Sequence, residues 1–238
     1  MKILAIDTSN QTLSLAVLED ERVLASYSSS VNKNHSVTLM PMIETMFAQI
    51  KMSPKDIERI VVAQGPGSYT GLRIGVTTAK TLAWTLGAEL VGVSSLANLA
   101  ASVGQVSGVI ISLFDARRGN VYAGGYRWEQ GMLTEVIPDQ HIELGTLLNQ
   151  LKEINEPITI VGELTDQLKE TVLTAELPMY QLVLSPVLNS AYLGKMGYQA
   201  TAVVDPDAFV PTYLKLVEAE EKWLETNPVL REDYVEKV

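Results

Sequence analysis

KILAIDTSNQTLSLAVLEDERVLASYSSS, residues 2–30, is the stretch that decides the fold. KILAID, TLSLAVLE and RVLASYSSS are rich in β-forming residues and are parted by TSNQ and by Asp20-Glu21, so the chain opens as a three-strand meander. A helix over residues 37–50 follows, because Leu39, Met42, Ile43, Met46 and Ile50 recur at three- and four-residue spacing. Pro41 fits that helix if it sits in the first turn. IERIVVAQ reads as a buried strand, GLRIGVTTAKTLAWTLG as a helix, ELVGVS as a strand and SLANLAAS as a short helix opened by Ser94 or Ser95.

After Gly104 the order restarts. GVIISLFDA, NVYAGGYRW and MLTEVIPDQ form a second meander with turns at ARRG and EQG. Helices over 143–154, 165–173 and 187–200 alternate with strands at 158–162 and 180–184. The repeat predicts an α/β protein of two similar domains facing each other across a cleft, residues 1–103 and 104–215, followed by an acidic helical tail over 216–238. Such a cleft is the natural ligand site.

Composition narrows the chemistry. With 47% hydrophobic and 19% charged residues in 238, the chain can bury a core. It has no cysteine, which removes disulfides, thiolate nucleophiles and cysteine zinc sites, and fits a reducing compartment. A net charge of -10 opposes autonomous binding to a phosphate backbone. No apolar run is long enough to span a membrane, so the expectation is a soluble cytoplasmic protein. Half of the net charge lies from Asp205 onward, as a solvated helical tail or a docking tail for a basic partner.

The loop Gln64-Gly65-Pro66-Gly67-Ser68-Tyr69-Thr70-Gly71 joins a strand to a helix, where free N–H groups cradle anions in other proteins. It lacks the lysine of a Walker A loop and the spacing of GxGxxG, and Pro66 removes a donor, so a structural turn competes with phosphate cradling. Behind it, Gly71, Gly75, Ala79, Ala83 and Gly87 form a small-residue stripe suited to close approach by the chain's own sheet or by another subunit. Met40 and Phe47 widen the apolar arc of the preceding helix beyond what one sheet covers, which points to a protein partner.

Asp7 and Asp115 end the first strands of the two halves and are candidates to hold Mg²⁺ on a nucleotide phosphate across the cleft; both also suit hairpin turns. Glu163 after Gly162 would repel phosphate, so that half of the pocket reads as degraded. His35 and His141 have no metal-ligand spacing, and GPGSYTG is not a GxSxG elbow, so neither catalytic nor metal residues are assigned.

ILAIDTSNQTLSLAVLED, NHSVTLMPMIETMF and AQGPGSYTGLRIGVTTAKTLA, together with DARRGNVYAGGY and VPTYLK, resemble the TsaB family of tRNA threonylcarbamoyladenosine biosynthesis proteins. The resemblance implies tandem actin-like (ASKHA, RNase H-like) domains, each with a mixed sheet and flanking helices. It further implies a non-catalytic paralogue that binds and stabilises TsaD, the enzyme that threonylcarbamoylates the adenosine next to the anticodon of certain tRNAs, with tRNA met only through the complex. A TsaE-like ATPase would dock on the assembled pair, with ATP or ADP and Mg²⁺ conceivable at a partner interface. The docking helices would be about residues 35–50 and 71–86, through His35, Leu39, Met40, Ile43 and Phe47 on one and Gly71, Leu72, Gly75, Val76, Ala79 and Ala83 on the other. Unpaired, the same surface would form a homodimer. The competing readings are an independent ASKHA phosphotransferase and a glycoprotease-like peptidase.

Overall fold

The computed structural model describes residues 1–31, 34–184 and 187–215. β1 (Lys2–Asp7), β2 (Leu13–Glu19) and β3 (Arg22–Ser29) form the expected meander, with β1 and β2 antiparallel from Lys2 opposite Glu19 to Asp7 opposite Ser14. Every β1 residue after Lys2 is buried. Leu4 and Ile6 point to one face and Ile3 and Ala5 to the other, so the sheet needs a helical layer on both sides.

α1 (His35–Ile50) and α2 (Tyr69–Leu86) cover the Leu4/Ile6 face, while β4 (Arg59–Gly65) and β5 (Glu89–Ser94) add in parallel to give the order β3-β2-β1-β4-β5. α3 (Ser95–Ala101) then leads into a second sheet. β6 (Val109–Asp115), β7 (Asn120–Glu129), β8 (Met132–Glu143), β9 (Ile158–Glu163) and β10 (Tyr180–Leu184) repeat the same order, with α4 (Leu144–Leu151) and α5 (Asp166–Leu173) on the outer face. α6 (Ser190–Gln199) closes the described helices.

The helices between the sheets are exchanged. α3 follows the first sheet in sequence but packs Leu96, Leu99 and Ala100 with Ile110, Phe114 and Tyr126 of the second. α6 follows the second sheet but packs Ala191 and Leu193 with Ile3, Ala5, Ala16 and Leu18 of the first. A Cβ at Gly194 or Gly197 would strike Leu18 or Val61, which is why this helix carries two glycines despite a propensity cost of about 1 kcal/mol each. Arg59, nearly buried, donates to Glu89 and to the carbonyls of Gly197, Tyr198 and Ala200, closing the end of α6. The turn after α3 is the covalent junction of the two halves, but their packing is shared through α3 and α6.

Three local expectations differ from the structure. α1 begins at His35, capped by Asn34, so Pro41 lies inside the helix rather than in its first turn; its missing N–H faces the carbonyl of the exposed Val37. β8 runs on to Glu143, which pairs with Asn120, and so shortens the helix expected over 143–154 to α4. A 3-10 turn at Pro54–Asp56, held by a capping box between Ser53 and Asp56, was not anticipated. The acidic helical tail expected over 216–238 lies outside the described residues.

Candidate functional site

The loop before α2 is pressed onto the end of β1. Ser68 N–H donates to the Ser9 carbonyl (2.7 Å), and the Thr8 hydroxyl donates to the Gly71 carbonyl (2.7 Å). A Cβ at Gly67, Gly71 or Gly75 would collide with Ser9 or Thr8, so these glycines exist for close packing. The structure therefore gives the loop a structural part.

The same geometry places most of the expected docking residues in the core of the lone chain. Gly71, Leu72, Gly75, Val76, Ala79 and Ala83 are all buried against the chain's own sheet, because a face of small residues is the one that lets α2 approach it closely. Leu39, Ile43 and Phe47 likewise seat α1 in the core. His35 is half-buried, with its Nε2 2.8 Å from the Asn10 carbonyl. Met40 does reach the surface, at 49% exposure.

A different apolar surface remains open on these helices. Val37 is 64% exposed and Trp84 82%, with Tyr69 exposed at the start of α2. Trp84 continues the outward stripe of Arg73, Thr77 and Thr81 at helical spacing. A groove of about 520 Å³ lined by Met40, Ile43, Phe47, Met52, Leu82 and Leu86 runs between α1 and α2. Beside it lies a second hollow of about 510 Å³, lined by Leu39, Met40, Tyr69, Arg73, Ile74 and Thr77. The sequence reading missed Trp84, although a tryptophan on an otherwise polar helical stripe was a visible signal.

In the cleft, Asp115 lines a cavity whose lining does not include Asp7. Asp7 is fully buried. One of its carboxylate oxygens accepts from the Ser9 N–H and hydroxyl (2.9 and 2.7 Å), and the other from the Asn98 amide (2.7 Å). Burial pushes its carboxyl pKa up, against the hydrogen bonds from Ser9 and Asn98. Asn98, carried on α3, thus ties down the carboxylate expected to face a nucleotide. Asp115 is exposed and accepts from the Arg117 N–H (2.7 Å). It lines a cavity of about 400 Å³ with Tyr69, Arg117, Arg118, Tyr213 and Lys215, and Asp7 does not. Glu163 accepts a hydrogen bond from Thr12 across the lobes (3.0 Å), so this carboxylate stands between the two halves.

A second, part-buried tie joins the lobes. Ser94 at the end of β5 donates to Asp139 of β8 (2.5 Å), and Tyr126 of β7 donates to the other oxygen of the same carboxylate. Burial pushes both Asp139 and Tyr126 above their ordinary pKa values. Among the described residues no three His, Asp or Glu side chains converge as a metal-ligand set, and no helix is long and apolar enough to cross a membrane.

Comparison with known proteins agrees with this architecture. The family model for TsaD, tRNA N6-adenosine threonylcarbamoyltransferase, matches residues 22–223. The chain is 45% identical over 231 residues to the tRNA threonylcarbamoyladenosine biosynthesis protein TsaB of Bacillus subtilis, covering 95% of this chain and 99% of that one. It is 36% identical over 134 residues to the Escherichia coli protein of the same name, covering 55% and 57% of the two chains. Among solved structures, YeaZ from Pseudomonas aeruginosa superposes with a TM-score of 0.72 at 24% identity, covering 90% of this chain and 99% of that one. That likeness shows the fold: two tandem actin-like domains.

Proposed function

We propose, because this chain belongs to the TsaB family, that it is the non-catalytic partner of a TsaD-like enzyme in threonylcarbamoylation of the adenosine next to the anticodon of tRNAs. The observation that carries the reading is the open apolar face of α1 and α2, where Val37, Met40 and Trp84 stand out of a helical pair whose inner side is already packed. Exposed aromatic and methionine side chains beside an apolar groove are the material of protein interfaces, not of a solvated helix face. The sequestration of Asp7 supports a chain that assists catalysis rather than performs it.

Docking runs through the outward residues Val37, Met40, Arg73, Thr77 and Trp84, with Leu39, Ile43 and Phe47 supporting them from below. A TsaE-like ATPase joins the assembled pair, and tRNA is met through the complex. In the absence of the enzyme the same face closes a homodimer. The chain works in the cytoplasm, and its lack of cysteine suits that compartment.

The test is to mix the chain with a TsaD-like protein from the same organism and follow both by gel filtration with light scattering. A stable complex is expected, together with tRNA modification that needs both proteins. Two folded proteins that elute separately, or full modification by the TsaD-like protein without this chain, would overturn the reading.

A further inference from the structure

The crossing between the lobes holds three side chains in a closed ring of contacts. Ser94 ends β5 and also caps α3, its hydroxyl oxygen accepting from the Ala97 N–H (3.1 Å), so it stands where the chain leaves the first sheet for the helix that packs on the second. Its Oγ is 2.5 Å from one carboxylate oxygen of Asp139 on β8 and 3.1 Å from Tyr126 Oη on β7. Tyr126 Oη in turn meets the other carboxylate oxygen. Three such contacts need three protons, and the two hydroxyls supply one each.

With Asp139 ionised, both hydroxyl protons go to the carboxylate, and the Ser94 and Tyr126 oxygens face each other at 3.1 Å with no proton between them. A proton on Asp139 completes the count. Tyr126 then donates to Asp139 Oδ1, Asp139 Oδ2 donates to Ser94, and Ser94 donates to Tyr126, so that each bond polarises the next. Burial, which lifts the Asp139 carboxyl above its ordinary pKa, favours that neutral form. The sequence also makes room for the ring. Gly124 sits inside β7, where a glycine weakens a strand, yet a Cβ there would strike the Asp139 carboxylate and the Tyr126 hydroxyl.

We propose that Ser94, Tyr126 and Asp139 form a proton-dependent latch between the lobes, closed as a ring of three bonds when Asp139 carries a proton and slackened to two when it does not. Among the described residues, the titratable groups flanking the ring are Glu135 of β8, opposite Tyr126, and His141, two residues beyond Asp139 and packed beside Tyr122. Arg127, next to Tyr126 on β7, is paired with Glu129 and Glu156. α3 carries no titratable side chain, and Glu89 lies at the far end of β5, bonded by Arg59. The stability that the latch contributes is complete below the ordinary aspartate value and is lost as pH rises through the value of Asp139 in the folded chain. The latch stands independently of the docking reading of α1 and α2.

Carbon-13 NMR of the full chain, with the Asp139 carboxyl assigned through its own backbone, follows the proton directly. Hydrogen exchange at the Ala97 amide follows the latch, because that N–H is held by the Ser94 hydroxyl. The carboxyl midpoint is expected above the ordinary aspartate value of about 3.9. Ala97 exchange, corrected for its intrinsic pH dependence, should quicken about threefold or more as pH rises through that midpoint. Asp139→Asn, whose amide donates to Ser94 and whose carbonyl accepts from Tyr126, should keep the slow rate at every pH. Gly124→Ala, which displaces the carboxylate from the ring, should show the fast rate at every pH. An Asp139 that titrates at or below the ordinary value, wild-type exchange with no step at its midpoint, or the same step in either variant would overturn the latch.

Discussion

Asp7 shows how one residue's surroundings redirect its chemistry. An exposed aspartate titrates near about pH 3.9, and burial raises Asp7 above that value. Over the interval between, the folded chain keeps a proton that the unfolded chain has released, so the stability tied to protonated Asp7 is complete below the ordinary value and lost as pH rises through the folded one. Asp7→Asn has no proton to lose. Its Oδ1 keeps the Ser9 bonds, and its amide meets Asn98 Oδ1, which has no partner among the described residues, once the Asn98 amide turns over. The stability of Asp7→Asn relative to wild type should therefore grow with pH across that window and level off above it, measured by denaturant unfolding at a series of pH values. Asp7→Ala should instead cost about 1–3 kcal/mol at neutral pH by stranding Ser9 and Asn98. An Asp7→Asn chain less stable than wild type at pH 7 would contradict this account. The sequence placed Asp7 at the end of the first strand, but only the position of Asn98, ninety-one residues on, decides that it points inward.

At the scale of elements, α2 has two faces with separable roles. Gly71→Val drives a side chain into the Thr8 carbonyl and should destabilise the lone chain by about 1–3 kcal/mol, read by thermal or urea unfolding with no partner present. Trp84→Ala, on the outward face, should shift stability by no more than about 0.5 kcal/mol. Unchanged stability in Gly71→Val would show the small-residue stripe to be misplaced. Periodicity made the helices themselves legible, since Leu39, Ile43 and Met46 announce α1 without knowledge of the rest of the chain. It could not say which partner the stripe of Gly71, Gly75 and Ala79 approaches, because small residues permit close packing on any backbone. Likewise, Arg117 and Arg118 read as part of an ordinary turn until the cavity beside them is seen.

For the whole molecule, the exchange of α3 and α6 makes the two halves mutually dependent. Residues 1–103 expressed alone would leave Ile3, Ala5, Ala16 and Leu18 without α6, an apolar sheet face open to water. That fragment should aggregate or fail to unfold cooperatively, whereas the full chain should melt in one transition; a soluble, cooperatively folding fragment would show that α6 is dispensable. The repeated element order made the duplication legible from sequence. The exchange was not legible, because a helix pattern records that one face is buried and not which sheet buries it.

The most direct test of the account uses that same outward face. Calorimetric titration of a TsaD-like protein with wild-type chain, Trp84→Ala and Met40→Asp, each confirmed to unfold like wild type, measures whether the face left open by folding is the one that docks. The account predicts tight one-to-one association for wild type, weakened at least about thirtyfold in each variant, as expected for loss of a buried anchor worth ~2 kcal/mol. Wild-type affinity in both variants would contradict it.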